Sequence, residues 1–112
     1  MMTLYVLNTL IVPVDFSKYS KVSVVFRRLT VEEAKEMLAS QQFVSAVGHE
    51  GTAKVLSSLL NVDIPVNRVS IFMSPGDQAL HFFLRQRLPE GRVLTEEELK
   101  QLDFWLVLSE VE

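Results

Sequence analysis

Phe43 to Asn61 reads FVSAVGHEGTAKVLSSLLN, and this stretch decides the fold: an apolar, strand-like run breaks at Gly48 and a helix follows at once. Val55, Leu56, Leu59 and Leu60 recur at i, i+1, i+4 and i+5, so the spacing predicts an amphipathic helix over Thr52 to Leu60 with one buried stripe. His49 falls just before its first turn. Gly48 and Gly51 carry no side chain, which lets the backbone take φ > 0 and lets a ligand come close, while the first helical N–H groups are unpaired and partially positive. That is a natural anion site. Short Gly-x-x-Gly turns also serve simply to cap helices, so the spacing alone defines a candidate phosphate loop and nothing more.

The remaining composition bounds what such a loop can serve. At 112 residues, 48% hydrophobic and with a net charge of −3, the chain fits one soluble globular domain, 1–112, with a real core. No apolar run approaches the roughly 18 residues needed to span a bilayer, and the amino terminus lacks a basic segment followed by a signal-type core. The expected location is therefore the cytoplasm, or the host cytoplasm for a virus- or phage-encoded chain, with no membrane partner. Zero cysteines exclude a disulfide framework, a thiol nucleophile and a thiolate metal site. A mildly acidic chain lacks the massed Lys and Arg of a general binder of long nucleic acid, so a phosphate ligand would be small and locally held.

Upstream of the loop, Leu4 to Val12 reads as a buried strand with Asn8 and Thr9 at its centre. An Asn there either satisfies itself against neighbouring backbone or points to a ligand at the sheet's edge. Pro13 argues against continuing a central strand. Lys21 to Leu29 alternates as a second strand, and Thr30 with Glu33 makes a capping box for a helix whose stripe is Val31, Ala34, Met37 and Leu38. Its Glu32, Glu33, Lys35 and Glu36 form a solvated face.

Downstream, Arg68 to Met73 alternates as a strand, the turn Ser74-Pro75-Gly76-Asp77 follows, and Gln78 to Arg87 is expected to complete a hairpin with it. Leu80, Phe82 and Leu84 share one face of that second strand. The other face mixes Ala79, His81 and Phe83 with Arg85 and Arg87, so His81 is read as a surface or interface residue rather than a ligand. Thr95 with Glu98 makes a second capping box, and Phe104 to Val111 is a final strand whose apolar start suits a central position. The expected order is β-β-α-α-β-β-α-β: an α/β domain with one mixed sheet flanked by helices.

Several of these stretches resemble, in matching order, one known family. The first strand with Asn8, the segment AVGHEGTAKVLSSLLN, Asn67-Arg68-Val69, and Gln86-Arg87-Leu88-Pro89-Glu90-Gly91 with Val93-Leu94 are similar to the viral type III anti-CRISPR ring nucleases, a family with bacterial and prophage members. The resemblance implies a homodimer that binds cyclic tetra-adenylate across its two-fold interface and cleaves it without metal or other cofactor. It also implies His49, Arg87 and Glu90 as catalytic residues, with Asn8, Thr9, Gly48, Glu50, Gly51, Thr52, Arg68 and Gln86 on the substrate side. The chain departs from the family's pattern at Ile11 and Gly51, where viral members carry a serine and a hydroxyl residue; Thr9, Thr52 or backbone N–H groups would have to replace those contacts.

These residue types suit that chemistry. A ribose 2′-OH lies beside each phosphodiester, so the substrate brings its own nucleophile and the protein need only align it with the leaving 5′-oxygen. His49 would protonate that oxygen and Arg87 would hold the phosphate oxygens as charge accumulates. Glu90 would either accept the 2′-OH proton or hold Arg87. Two competing readings remain open at this point: a module that sequesters the ring uncut, and a structural or regulatory interaction protein in which His49 only caps its helix.

Overall fold

A computed structural model describes residues 2–86 and 94–112, with the backbone alone at Glu96. Five strands, β1 (Leu4–Leu7), β2 (Val24–Leu29), β3 (Val44–Ser45), β4 (Gln78–Leu84) and β5 (Phe104–Val111), form one sheet in the order β2-β5-β4-β1-β3. β3 and β4 flank β1 in parallel, while β5 pairs antiparallel with β4 and with β2, so the sheet is mixed. The helices are α1 (Val31–Ser40), α2 (Glu50–Leu60) and α3 (Glu96–Lys100).

Local chemistry sets the helix ends. Thr30 and Thr95 each receive the amide of the residue three positions on, and Glu33 and Glu98 return a carboxylate to the cap amide, completing both expected capping boxes. Asn61 stops α2 in the left-handed region at φ 52°, its N–H returning to the Ser57 carbonyl. Ala53, Val55, Leu56 and Leu60 of α2, with Ala34 and Leu38 of α1, bury against Leu4, Val6, Leu80, Phe82, Leu106 and Leu108 of one sheet face. Each fully buried large side chain there contributes about 1.5–3 kcal/mol by leaving water. Glu32, Glu33 and Glu36 face solvent, as the charge pattern predicts.

The opposite sheet face is covered without helices. Leu7, Ala79 and Val111 pack there against Met73, with Val12, Val22 and Ile71 around them. This is where the structure departs from the expected order. Arg68 to Met73 joins no ladder beyond a single parallel bridge from Met73 to Val14, so the hairpin with β4 does not form. The physical reason is occupancy: β4 is already bonded to β1 and β5, which leaves no flank for another strand. The alternation of Ile71 and Met73 is that of an extended segment lying on the sheet. The vacant flank of β1 is taken instead by the short β3, giving the order β-β-α-β-α-β-α-β. β1 also ends earlier than expected, at Leu7, so Asn8 and Thr9 follow the strand and do not lie inside it.

Candidate active site

α2 begins where β3 leaves the sheet, and His49 is its N-cap. The Thr52 amide donates to Nδ1 of His49 at 3.1 Å, and Thr52 Oγ1 lies 3.1 Å from the same nitrogen. An amide can only donate, so Nδ1 accepts and the neutral ring carries its proton on Nε2. Nε2 has no hydrogen-bond partner among the described residues, and the side chain is exposed. Glu50 is also exposed and reaches Lys54 one turn on at 3.4 Å.

Arg68 is brought to the same place by a backbone stitch. Asn67 donates its amide to the Val47 carbonyl at 2.7 Å and its side-chain Nδ2 to the Ser45 carbonyl at 2.7 Å. Arg68 Nε then donates to the Gly48 carbonyl at 2.7 Å, which leaves the terminal nitrogens of its guanidinium without a partner among the described residues. Its Cγ also lies close against Gly48, where a Cβ would sit 3.4 Å away. Asn67 is thus a positioning residue that the sequence reading left out of the site. Ser45, buried, donates Oγ to the Pro65 carbonyl at 2.6 Å and anchors the same segment further up.

Asn8, Thr9 and Gln86 reach this edge through the parallel strands. Val6 is level with Ser45, where β3 ends, and Leu7 with His81, so Asn8 leaves β1 past the end of β3 and alongside β4. The carboxyl ends of parallel strands are where open α/β sheets hold their ligands. The Asn8 side chain is half-buried and makes no hydrogen bond among the described residues; Gln86 is exposed, with Oε1 accepting from the Asp103 amide at 2.8 Å. Arg87 and Glu90 lie outside the described residues. No three His, Cys, Asp or Glu side chains among the described residues gather as a metal-binding group.

His81 corrects the reading of it as a surface or interface residue, for it is 0% exposed. Its Nδ1 lies 2.7 Å from the Thr9 carbonyl and its Nε2 2.7 Å from Ser109 Oγ, with the Phe26 ring 6.2 Å away. Burial pushes its pKa below the ordinary imidazole value, partly offset by the bond to Thr9. Further along β4, Phe83 stacks on Trp105 at 5.6 Å, and Arg85 lies 4.7 Å over the Trp105 ring and 3.5 Å from Asp103.

Comparison with known proteins adds the following. Residues 4–106 match the model of the STIV B116-like family. The chain is 45% identical over 109 residues to uncharacterized protein 26 of Sulfolobus islandicus filamentous virus, covering 96% of this chain and 91% of that one. It is 44% identical over 104 residues to uncharacterized protein ORF117 of Acidianus two-tailed virus, covering 90% and 86%. Among solved structures, B116 of Sulfolobus turreted icosahedral virus superposes with a TM-score of 0.85 over 96% of this chain and 98% of that one, at 23% identity, so the fold is shared.

Proposed function

The chain belongs to the STIV B116-like family, and from that footing, with the motifs it shares in order with the type III anti-CRISPR ring nucleases, we propose that it is a metal-independent ring nuclease acting on cyclic tetra-adenylate. One observation carries the reading. An exposed imidazole, tied at Nδ1 and open at Nε2, shares the amino terminus of α2 with a guanidinium fixed by its Nε to Gly48. A helix terminus and an arginine favour a phosphate, and the outward Nε2 supplies a proton donor beside it.

In the proposed reaction the ribose 2′-oxygen attacks the adjacent phosphorus and the bond from phosphorus to the 5′-oxygen breaks. A proton passes from Nε2 of a protonated His49 to the departing 5′-oxygen, leaving the ring neutral. Arg87 holds the phosphate oxygens in the transition state, and the 2′-OH proton passes to Glu90 or, where Glu90 orients Arg87 instead, to solvent water. The chain acts as a homodimer, whose two-fold axis sets one His49 against each of two opposite phosphates. The products are two linear di-adenylates, ending first in 2′,3′-cyclic phosphate, and their formation silences type III CRISPR signalling.

The test is incubation of the protein with cyclic tetra-adenylate in excess chelator, with the products resolved chromatographically. Di-adenylates bearing cyclic phosphate are expected. Retained but uncut ring would make the protein a sequestering module, and activity restored only by added magnesium or manganese would overturn the metal-free mechanism. No thermal shift with ligand would make it an interaction protein.

A further inference from the structure

We infer that Thr52 is a positioning residue that keeps His49 anchored in both of its protonation states. The inference rests on the reading of His49 as the acid. A neutral imidazole at this cap needs a donor opposite Nδ1, whereas the charged ring, protonated on both nitrogens, needs an acceptor there. Thr52 presents both. Its amide lies 3.1 Å from Nδ1 and can only donate, and its hydroxyl lies 3.1 Å from the same atom and can accept.

This matters because the acid that delivers a proton is the charged ring, and an imidazolium has no lone pair for the Thr52 amide. Without a second partner the ring would be released from the cap in the state in which it must be aimed. With one, Nδ1–H turns to Oγ1 while Nε2 continues to face outward. When Nε2 gives its proton to the 5′-oxygen, the ring is left neutral with its remaining proton on Nδ1, still held by the Thr52 hydroxyl. Loss of that proton and recovery of one at Nε2 from solvent returns the ring to the amide.

Gly51 fits the same arrangement. A Cβ at position 51 would stand 3.1 Å from Cε1 and 3.5 Å from Nδ1 of His49, so the ring would have to give by a few tenths of an ångström. The backbone does not call for glycine here, since positive φ among the described residues occurs at Asn61 and Gly76 alone. Helix propensity argues against it as well. The atoms nearest the missing side chain are those of the folded-back imidazole.

The experiment compares Thr52→Val, which keeps the amide and loses the hydroxyl, with Thr52→Ser, which keeps both. Thr52→Val is expected to retain its melting temperature, and its single-turnover cleavage is expected to fall about ten- to a hundredfold beyond any loss of affinity for cyclic tetra-adenylate, the usual effect of losing a hydrogen bond to a charged group. Thr52→Ser should recover most of the rate. In parallel, the ring nitrogen resonances of His49 are followed without ligand: Thr52→Val should differ from wild type at Nδ1 most when the ring is charged. Wild-type cleavage by Thr52→Val, equal loss of binding and cleavage, or identical Nδ1 resonances in both states would each overturn the inference. Inactive wild-type protein that still shows the Thr52-dependent Nδ1 signal would overturn the nuclease reading and leave the contact standing.

Discussion

His81 donates from Nδ1 to the carbonyl oxygen of Thr9 at 2.7 Å, and its Nε2 lies 2.7 Å from the Ser109 hydroxyl. The carbonyl can only accept, so Nδ1 carries a proton, and burial favours the neutral ring, in which Nε2 is the acceptor. A buried imidazole thereby latches the segment that carries Asn8 and Thr9 onto β4 and β5.

The first prediction follows from that latch. Burial, the largest cause, holds the folded pKa of His81 below its ordinary value. Below about 6.5 the unfolded chain takes up a proton that the folded chain refuses, so this contribution to stability is complete above that pH and is lost as pH falls from there towards the folded value. Denaturant unfolding at about pH 7.5 and pH 5 should therefore show lower stability in acid, and His81→Gln should flatten the slope in that window. The carboxylates whose pKa values are lowered, Asp15 and Glu33, act at more acid pH and leave the comparison clear. An unchanged slope in His81→Gln would remove His81 as its source.

A buried latch of this kind leaves no local mark in the sequence. Capping boxes, the stripe of α2, and the alternation of Leu80 and Phe82 are local chemistry, and each is where the residues say. On its own strand His81 keeps the company of Phe83 and of the exposed Arg85, four residues on. Its real surroundings, Thr9, Phe26 and Ser109, come from three distant segments. Arg68 to Met73 failed for a related reason. Its alternation is real, and whether a flank is free for it is decided by strand order, which no residue in the segment encodes. His49 was legible because a glycine break before an amphipathic helix is a local signal, whereas Asn67 shows its purpose only once β3 lies alongside it.

A second prediction concerns the turn before β4. Asp77 is buried, and its two carboxylate oxygens take the amides of Thr3 at 3.1 Å and Ser74 at 2.9 Å, tying the amino terminus to the sheet. Asp77→Ala leaves both amides without a partner and should cost about 2–5 kcal/mol. A shifted urea midpoint with unchanged slope would show it. A loss below about 0.5 kcal/mol would mean water replaces the carboxylate freely.

A third prediction turns on Arg68. Its Nε is committed to Gly48, so the fork that remains is aimed by the backbone that also carries His49. Arg68→Ala should weaken binding of cyclic tetra-adenylate about ten- to a hundredfold, and Arg68→Lys should recover only part of this, because an ammonium cannot bond Gly48 and grip a phosphate with a second planar edge. Titrations at one fixed ionic strength give the three affinities. Full recovery in Arg68→Lys would mean that charge alone matters and the stitch to Gly48 does not.

The last prediction separates the two things His49 does. As an N-cap it stabilises α2, and His49→Ala should cost about 0.5–2 kcal/mol of stability. As the acid, its loss should lower single-turnover cleavage by about two to four decades while affinity for the ring changes little, since the proton matters only in the transition state. The two losses coincide in the alanine variant, so asparagine divides them. Asn is among the best N-caps, and His49→Asn should regain the melting temperature of the wild type and none of its cleavage. Arg87→Ala offers the contrast, weakening binding and cleavage together because a guanidinium on a phosphate acts in the ground state as well. If His49→Asn cuts the ring at the wild-type rate, the histidine is a cap and the acid lies elsewhere. If His49→Ala loses binding and cleavage by the same factor, His49 positions the ligand, and the proton for the 5′-oxygen must come from another group at this edge of the sheet.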